Sequence, residues 1–268
     1  MDADQAALTP APPDADCFRL LAGDGQRLQC FCAALAAGAA PWRTGKTRIW
    51  RLNGEHGGCF VKEFYHASLR DMLRHRLRSV VRIYHDAEHF RTAGLPLARP
   101  LFAALGGSRW LPTGCLGLEA VPGPTLQRFL VEETDPAARA EAVRAVAKVW
   151  GHLTRVHGFH ADPAPRNFVL REGDPEDPWL IDLESIYPVG WVPRPVQSHR
   201  LKKFALSAAR QAVKQGGTPL PPDLAPVFVD HWAAAAGLRS GAWQRRLTRE
   251  IAAALDRQMV PSRPAPQG

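Results

Sequence analysis

Two carboxylates and an amide, held at fixed intervals in a stretch that a helix cannot absorb, constrain this chain more than any other feature. The stretch reads Val156-His-Gly-Phe-His-Ala-Asp-Pro-Ala-Pro-Arg-Asn-Phe-Val-Leu, then a polar turn, then Trp-Leu-Ile-Asp-Leu-Glu184. His160, Asp162 and Asn167 stand in H-x-D-x-x-x-x-N spacing, and Asp182 closes the apolar run Trp179-Leu180-Ile181. Pro163 and Pro165 keep the loop extended and out of helix, because proline removes a donor and restricts the residue before it. Phe168-Val169-Leu170 and Trp179-Leu180-Ile181 flank a polar, Pro-containing run and predict a short hairpin. Asn167 and Asp182 then sit at its two ends.

The spacing is that of a kinase catalytic loop, with Asp182 in the place of the metal-binding Asp. Phosphoryl transfer asks the protein for positioning and charge neutralisation rather than covalent work. A carboxylate must face the attacking hydroxyl, which suits Asp162. An amide oxygen and a second carboxylate must hold magnesium against the phosphates, which suits Asn167 and Asp182.

Composition supports that chemistry without defining it. A chain of 268 residues with 46% hydrophobic content can bury one large core or two lobes. Its net charge of +8 favours acidic partners, such as phosphates or anionic lipid. The cysteines (Cys17, Cys30, Cys32, Cys59 and Cys115) are odd in number and form no Cys-x-x-Cys pair, so neither a zinc site nor a disulfide framework is expected. Met1 to Asp16 holds Asp but no Lys or Arg, which does not read as a signal peptide. No apolar run approaches the roughly 18 residues of a membrane span. The expectation is a cytoplasmic protein in a reducing compartment.

Along the chain, residues 1–16 read as a disordered tail. Cys17 to Leu35 predicts early strands, or a strand and a short helix, around the Asp24-Gly25 turn. Thr47–Leu52 and Cys59–Tyr65 predict a hairpin with Gly-containing turn residues between them. Phe60-Val61-Lys62-Glu63-Phe64 is an apolar strand carrying one Lys. It resembles the V-A-I-K strand of kinases, whose Lys reaches the phosphates. Strand side chains alternate, so Glu63 faces away from Lys62 and cannot position it. Leu69 to Ala93 predicts a long basic helix ended by Gly94 and Pro96. Within it Glu88 is the first candidate to pair with Lys62, and Asp86 the second. Arg70, Arg74, Arg78 and Arg82 share one face of that helix.

Leu95–Leu105 and Cys115–Val121 predict further strands, and Pro122-Gly123-Pro124 a hinge. Backbone groups of Glu119 and Val121 are candidates to pair with an adenine edge. Asp135 caps and Pro136 opens a helix whose Val143, Val146, Trp150 and Leu153 face a core. Leu183 to Gln197 predicts a loop. Helices are expected over His199–Lys214, Pro226–Ala236 and Ala242–Met259, the last with Trp243, Leu247, Ile251 and Leu255 on its buried face. Residues 261–268 read as a second tail.

Ala40-Pro-Trp-Arg-Thr-Gly-Lys-Thr47 nearly fits a Walker A loop. Such a loop must open a helix. Here Ile49-Trp50-Arg51-Leu52 continues as strand, and Asn53-Gly54 breaks any helix. Gly45 remains a candidate for a phosphate-covering turn, although no G-x-G-x-x-G is present.

Taken together, Lys62, Glu88, His160-x-Asp162, Asn167 and Ile181-Asp182 resemble the protein-kinase-like superfamily. Glu88…Gly94-Leu-Pro-Leu-Ala-Arg-Pro100, His160-Ala-Asp162 and Ile181-Asp-Leu183 are similar to motifs of the bacterial lipopolysaccharide-core (Kdo/heptose) kinase family. The resemblance covers about Thr47 to Ser207. It implies an α+β, two-lobed protein-kinase-like fold, with a β-rich N-lobe over 17–121 and a helical C-lobe over 122–260. It implies ATP and Mg2+, and transfer of phosphate to a sugar hydroxyl of the lipopolysaccharide inner core. Asp162 is then the base, His160 supports the loop, Lys62 holds phosphates and Glu88 positions Lys62. Gly45, Glu119 and Val121 contact the nucleotide, and Asn167 and Asp182 bind magnesium. The implied partners are a lipid-linked sugar and an anionic membrane surface, not nucleic acid, with the enzyme peripheral to the inner membrane.

Three departures stand out. Lys203 occupies a position where the family has an Asp that braces the catalytic loop. Glu184 replaces the Gly of D-F-G. Ala161 replaces the Arg of H-R-D, which argues against switching by a phosphorylated activation loop. A non-catalytic pseudokinase and a small-molecule or antibiotic phosphotransferase are the alternative readings.

Overall fold

The computed structural model describes residues 18–44, 47–53, 58–64, 79–107, 112–172, 174–239 and 241–259. The expected tails 1–16 and 261–268, Gly45, and Arg70, Arg74 and Arg78 of the basic arm lie outside them. The architecture is α+β. The chain divides into two compact units, one comprising residues up to His89 plus Ala98–Ala120, the other Phe90–Leu97 plus the residues from Val121 onward.

The first unit is built on a six-stranded sheet of order β1-β5-β6-β4-β3-β2. Its strands are β1 (Arg19–Gly23), β2 (Arg43–Thr44), β3 (Arg48–Leu52), β4 (Cys59–Phe64), β5 (Pro100–Gly107) and β6 (Pro112–Glu119). Adjacent strands pair antiparallel throughout. Helix α1 (Gly25–Ala36) starts at Asp24, whose carboxylate accepts from the N–H groups of Gln26 and Arg27. Gly23 precedes it at φ +88, and a Cβ there would meet the Leu101 carbonyl at 2.3 Å, so only glycine fits this turn. Leu28 and Phe31 of α1 pack on Trp50, Val61, Phe102 and Cys115 of the sheet. The strand-plus-helix alternative for residues 17–35 is therefore the one that forms.

The alternation on β4 carries the expected consequence. Glu63 is fully buried and ion-paired with Arg48 on the neighbouring strand, Arg48 Nε lying 2.7 Å from Glu63 Oε2. The two residues are directly opposite in register. Burial pushes the Glu63 carboxyl up, against the opposing pull of Arg48. Glu63 is thus committed to Arg48. Helix α2 runs Val80–Thr92; residues 69–78 of the helix expected over 69–93 lie outside the described residues. Ser79 caps its start, its hydroxyl accepting from the Arg82 N–H at 3.3 Å.

The second unit is mainly helical: α3 (Leu126–Glu132), α4 (Pro136–Arg155), α5 (Arg194–Lys214), α6 (Leu224–Ala235) and α7 (Ala242–Met259). Asp135 caps α4 through the N–H groups of Ala137 and Ala138, with Pro136 at its first position. Val143, Val146, Trp150 and Leu153 are buried. Trp150 centres an aromatic cluster, with Phe204 at 5.1 Å, Phe228 at 6.0 Å and Phe168 at 6.3 Å between ring centroids. Arg139, also buried, donates to the carbonyls of Leu130 at 3.3 Å and Thr218 at 2.6 Å, tying α3 and α4 to the segment before α6.

Three elements differ from expectation. Residues 183–197 are not one loop: a 3-10 turn at Leu183–Ser185 and strand β10 (Ile186–Pro188) precede α5, which starts at Arg194 rather than His199. The strand forms because β7 (Gly158–His160) supplies a pairing edge distant in sequence. Pro226 does not open α6 but sits within its first turn, where a missing N–H costs nothing. Finally, the short helix α3 begins at Thr125, whose hydroxyl accepts from the Arg128 N–H.

Candidate active site

The loop between β7 and β8 (Phe168–Arg171) carries the polar residues, and the main chain fixes both of its ends. Ile186 pairs with His160 across β10 and β7. The Ala161 N–H donates to the Ser185 carbonyl at 2.7 Å, and the Ile181 N–H to the Asn167 carbonyl at 3.0 Å. Phe168 pairs with Leu180 of β9 (Asp174–Leu180), so the predicted hairpin forms and sets Asn167 and Asp182 side by side. The loop is not extended throughout: Pro165–Asn167 is a single 3-10 turn. Proline's fixed φ suits the first position of such a turn, so Pro165 starts it rather than excluding it.

Asn167 ties the site together. Its Nδ2 donates to the Asp162 carbonyl at 3.0 Å and lies 3.4 Å from Asp182 Oδ2. With the amide nitrogen so directed, the amide oxygen is left to face elsewhere. Asn167 and Asp182 together offer hard oxygen donors. No group of three or more His, Cys, Asp or Glu side chains among the described residues can hold a metal. Magnesium is a metal that keeps waters and takes one or two such protein ligands plus substrate phosphates.

Asp162 is half-exposed and bound by two cations. Lys203 Nζ, from α5, donates to its Oδ1 at 2.7 Å, and Arg166 Nη2 lies 3.3 Å from Oδ2. The hydrogen bond from Lys203 holds the Asp162 carboxyl below its usual range, with the fields of Lys203 and Arg166 adding to it and burial and Asp182 opposing. Lys203 is placed by its neighbour on the helix. Phe204 is buried in the Trp150 cluster, and the next residue back turns out toward Asp162. The loop's brace is therefore an ion pair to Asp162 itself. Sequence reasoning flagged Lys203 as a departure without giving it a partner. It passed over Arg166, whose signal was its position four residues after Asp162 in a loop too tight to point it away.

His160 lies beneath the loop. It is 1% exposed and stacks on Phe168 at 6.4 Å, with Trp150 at 6.5 Å. Its ring nitrogens make no hydrogen bond among the described residues. Burial pushes its pKa down to about 4, so the ring is neutral at physiological pH despite Asp182 and Asp162 nearby. A neutral ring packed on aromatics supports the loop by shape.

The remaining candidates are described within their own units. Lys62 is half-buried on β4, opposite Ile49 and Leu116. Glu88 is half-buried on α2. Both lie in the first unit. The Glu119 N–H donates to the Arg99 carbonyl at 2.9 Å and the Ala120 N–H to the Gly58 carbonyl at 3.0 Å, so neither is available to a ligand. In the second unit Gly123, at φ +129, lies so close to β8 that a Cβ would meet the Leu170 carbonyl at 2.0 Å. The Leu170 N–H donates to Pro124 and the Glu172 N–H to Pro122, fastening this Pro-Gly-Pro segment to the hairpin.

No helix among the described residues is long and apolar enough to cross a membrane. No family model and no curated protein sequence matches the chain. Among solved structures it is similar to WbdD crystallised with the kinase inhibitor LY294002, at 18% identity over 79% of this chain and 49% of that one, with a TM-score of 0.49. It is similar also to the bifunctional kinase-methyltransferase WbdD at 17% identity, over 78% of this chain and 47% of that one, with a TM-score of 0.46. The chain spans about half the length of these structures.

Proposed function

We propose that this chain is a phosphotransferase that moves the γ-phosphate of ATP to a sugar hydroxyl, the acceptor being an inner-core lipopolysaccharide sugar of the Kdo or heptose type. One observation carries the reading: Asn167 reaches both the Asp162 carbonyl and the Asp182 carboxylate, gathering a base and two oxygen ligands at one hairpin end. Asp162 faces the acceptor hydroxyl and takes its proton. The acceptor oxygen bonds to the γ-phosphorus as the bond from that phosphorus to the bridging oxygen breaks, and the electron pair leaves on ADP. Asn167 and Asp182 would hold magnesium, which neutralises charge on the phosphates when bound. Lys203, a donor beside Asp162, keeps the base ionised and in place.

In this reading Lys62 holds phosphates and Glu88 orients Lys62. The Glu119 carbonyl and the Val121 N–H are assigned to the adenine edge. Gly45 and most of the basic arm, which would hold the enzyme at an anionic inner-membrane surface, lie outside the described residues. The substrate class rests on the resemblance of the sequence motifs to the lipopolysaccharide-core kinases. Mass spectrometry of lipid-linked core oligosaccharide from cells with and without the gene tests it. Loss of one phosphate group from a defined fragment is the expected result, and identical spectra would contradict it.

A further inference from the structure

Helices α5 and α7 leave an open groove of about 1020 Å³ between them, just above the roughly 300–1,000 Å³ of small-molecule pockets. Its walls carry Lys202, Lys203, Arg210, Arg246, Arg249 and Arg257, against one carboxylate, Glu250. Helical spacing produces this. Lys203, Ser207 and Arg210 follow one face of α5, while Arg246, Arg249, Glu250 and Arg257 follow one face of α7. From Arg246 to Arg257 the helix rises about 16 Å.

The charges are only partly cancelled by ion pairs. Glu250 receives Lys202 Nζ at 2.8 Å and Arg246 Nε at 2.7 Å. Arg210, Arg249 and Arg257 are exposed and make no ion pair among the described residues. Like charges crowded along a concave wall concentrate anions there. The guanidinium fork also suits phosphate and carboxylate oxygens better than chloride. Lys203, one of the lining residues, has its Nζ 2.7 Å from Asp162. The groove therefore leads to the carboxylate assigned as base.

The lining narrows the ligand. Apart from His199, no aromatic side chain among the described residues lines the groove, so it lacks the run of ring platforms on which successive nucleobases stack. A groove recessed between two helices meets a chain better than a flat bilayer. Ser207 and Gln211 supply neutral hydrogen-bonding groups among the cations, as a hydroxyl-rich ligand requires. We propose that the α5–α7 groove is an acceptor subsite for a saccharide bearing several phosphate or carboxylate groups, seated so that a hydroxyl reaches Asp162. This rests on the phosphotransferase reading for its purpose, but not for its existence.

The test uses fluorescein-labelled heparin hexasaccharide as a polyanionic saccharide probe, read by fluorescence anisotropy on the full chain without nucleotide. Wild type should bind, and Arg210→Gln/Arg249→Gln/Arg257→Gln should bind roughly tenfold or more weakly. Arg19→Gln/Arg99→Gln/Arg155→Gln, which removes the same charge elsewhere, should stay close to wild type. Glu250→Gln should bind more tightly, because it frees Lys202 and Arg246. Equal losses in the two triple variants would overturn the proposal, since the whole molecule's field rather than a site would then be responsible. So would absence of probe binding by wild type. A groove variant that keeps the saccharide but loses flotation with phosphatidylglycerol vesicles would make the groove a membrane contact and overturn the proposal too. Because the readout needs no phosphate transfer, a protein that binds the probe here yet transfers nothing supports the groove and counts against the phosphotransferase reading.

Discussion

Lys203 Nζ lies 2.7 Å from Asp162 Oδ1, joining residues 41 positions apart in the chain. A carboxylate clamped by an ammonium stays ionised to lower pH than a free one, and under the proposed function it is the base that meets the acceptor. Replacing Lys203 by Met should release that hold. The Asp162 carboxyl then titrates higher, so the acid limb of the kcat/KM profile moves to higher pH while the fold is kept. Lys203→Arg, which restores a cation, should recover much of the profile. A Lys203→Met enzyme with reduced rate but an unmoved acid limb would make Lys203 a structural contact only.

Asp182→Ala should abolish magnesium-dependent nucleotide binding. The carboxylate and the Asn167 amide are the two oxygen donors assigned to magnesium, which accepts few protein ligands, so losing one weakens the whole complex. Calorimetric titration of Mg-ATP into wild type and variant reads this directly. Equal affinities would place the metal elsewhere.

Acid should destabilise the fold through His160. Its folded pKa is pushed down to about 4 from 6.5, so the unfolded chain binds a proton that the folded chain refuses. The stability is fully present above pH 6.5 and is lost as pH falls toward 4. A shift of this size corresponds to something on the order of 3 kcal/mol. His160→Phe keeps the stack on Phe168 and Trp150 without a titrating group, so its stability should fall less. Urea unfolding at about pH 7 and about pH 4.5 compares the two proteins. An unchanged difference between these pH values in the variant would assign the acid sensitivity to another group.

The buried pair of Arg48 and Glu63 makes a prediction about the first unit. Arg48 is 3% exposed and Glu63 0%. Removing one partner strands the other charge, so Arg48→Met should cost roughly 3–5 kcal/mol. Arg48→Met/Glu63→Leu should recover most of that loss, since an apolar pair of similar volume needs no partner. Thermal unfolding of both variants measures it, and a double variant as unstable as the single would show that the pair's value lies in more than charge.

What the sequence discloses follows the range of the interaction. The gathering of Asp162, Asn167 and Asp182 is legible because a short hairpin joins them, and β8 and β9 are legible because apolar runs flank a turn. Glu63 facing away from Lys62 follows from strand alternation alone. Arg48 as the partner of Glu63 does not, because it depends on the register of β3 against β4. Strand β10 is hidden for the same reason: Ile186-Tyr187-Pro188 becomes a strand only beside β7. The Lys203 contact to Asp162 requires α5 to pack Phe204 against Trp150, and no local pattern announces that packing.

Asp162 carries the central claim. Purified wild type and Asp162→Asn proteins, each incubated with Mg-ATP and core oligosaccharide from cells lacking the gene, should be compared by mass spectrometry of the saccharide. Wild type should add one phosphate group. The variant should do so about 10²–10⁴-fold more slowly while still binding nucleotide, because a general base contributes about that much. Equal rates of phosphate transfer by the two proteins, or none by the wild type, would contradict the account.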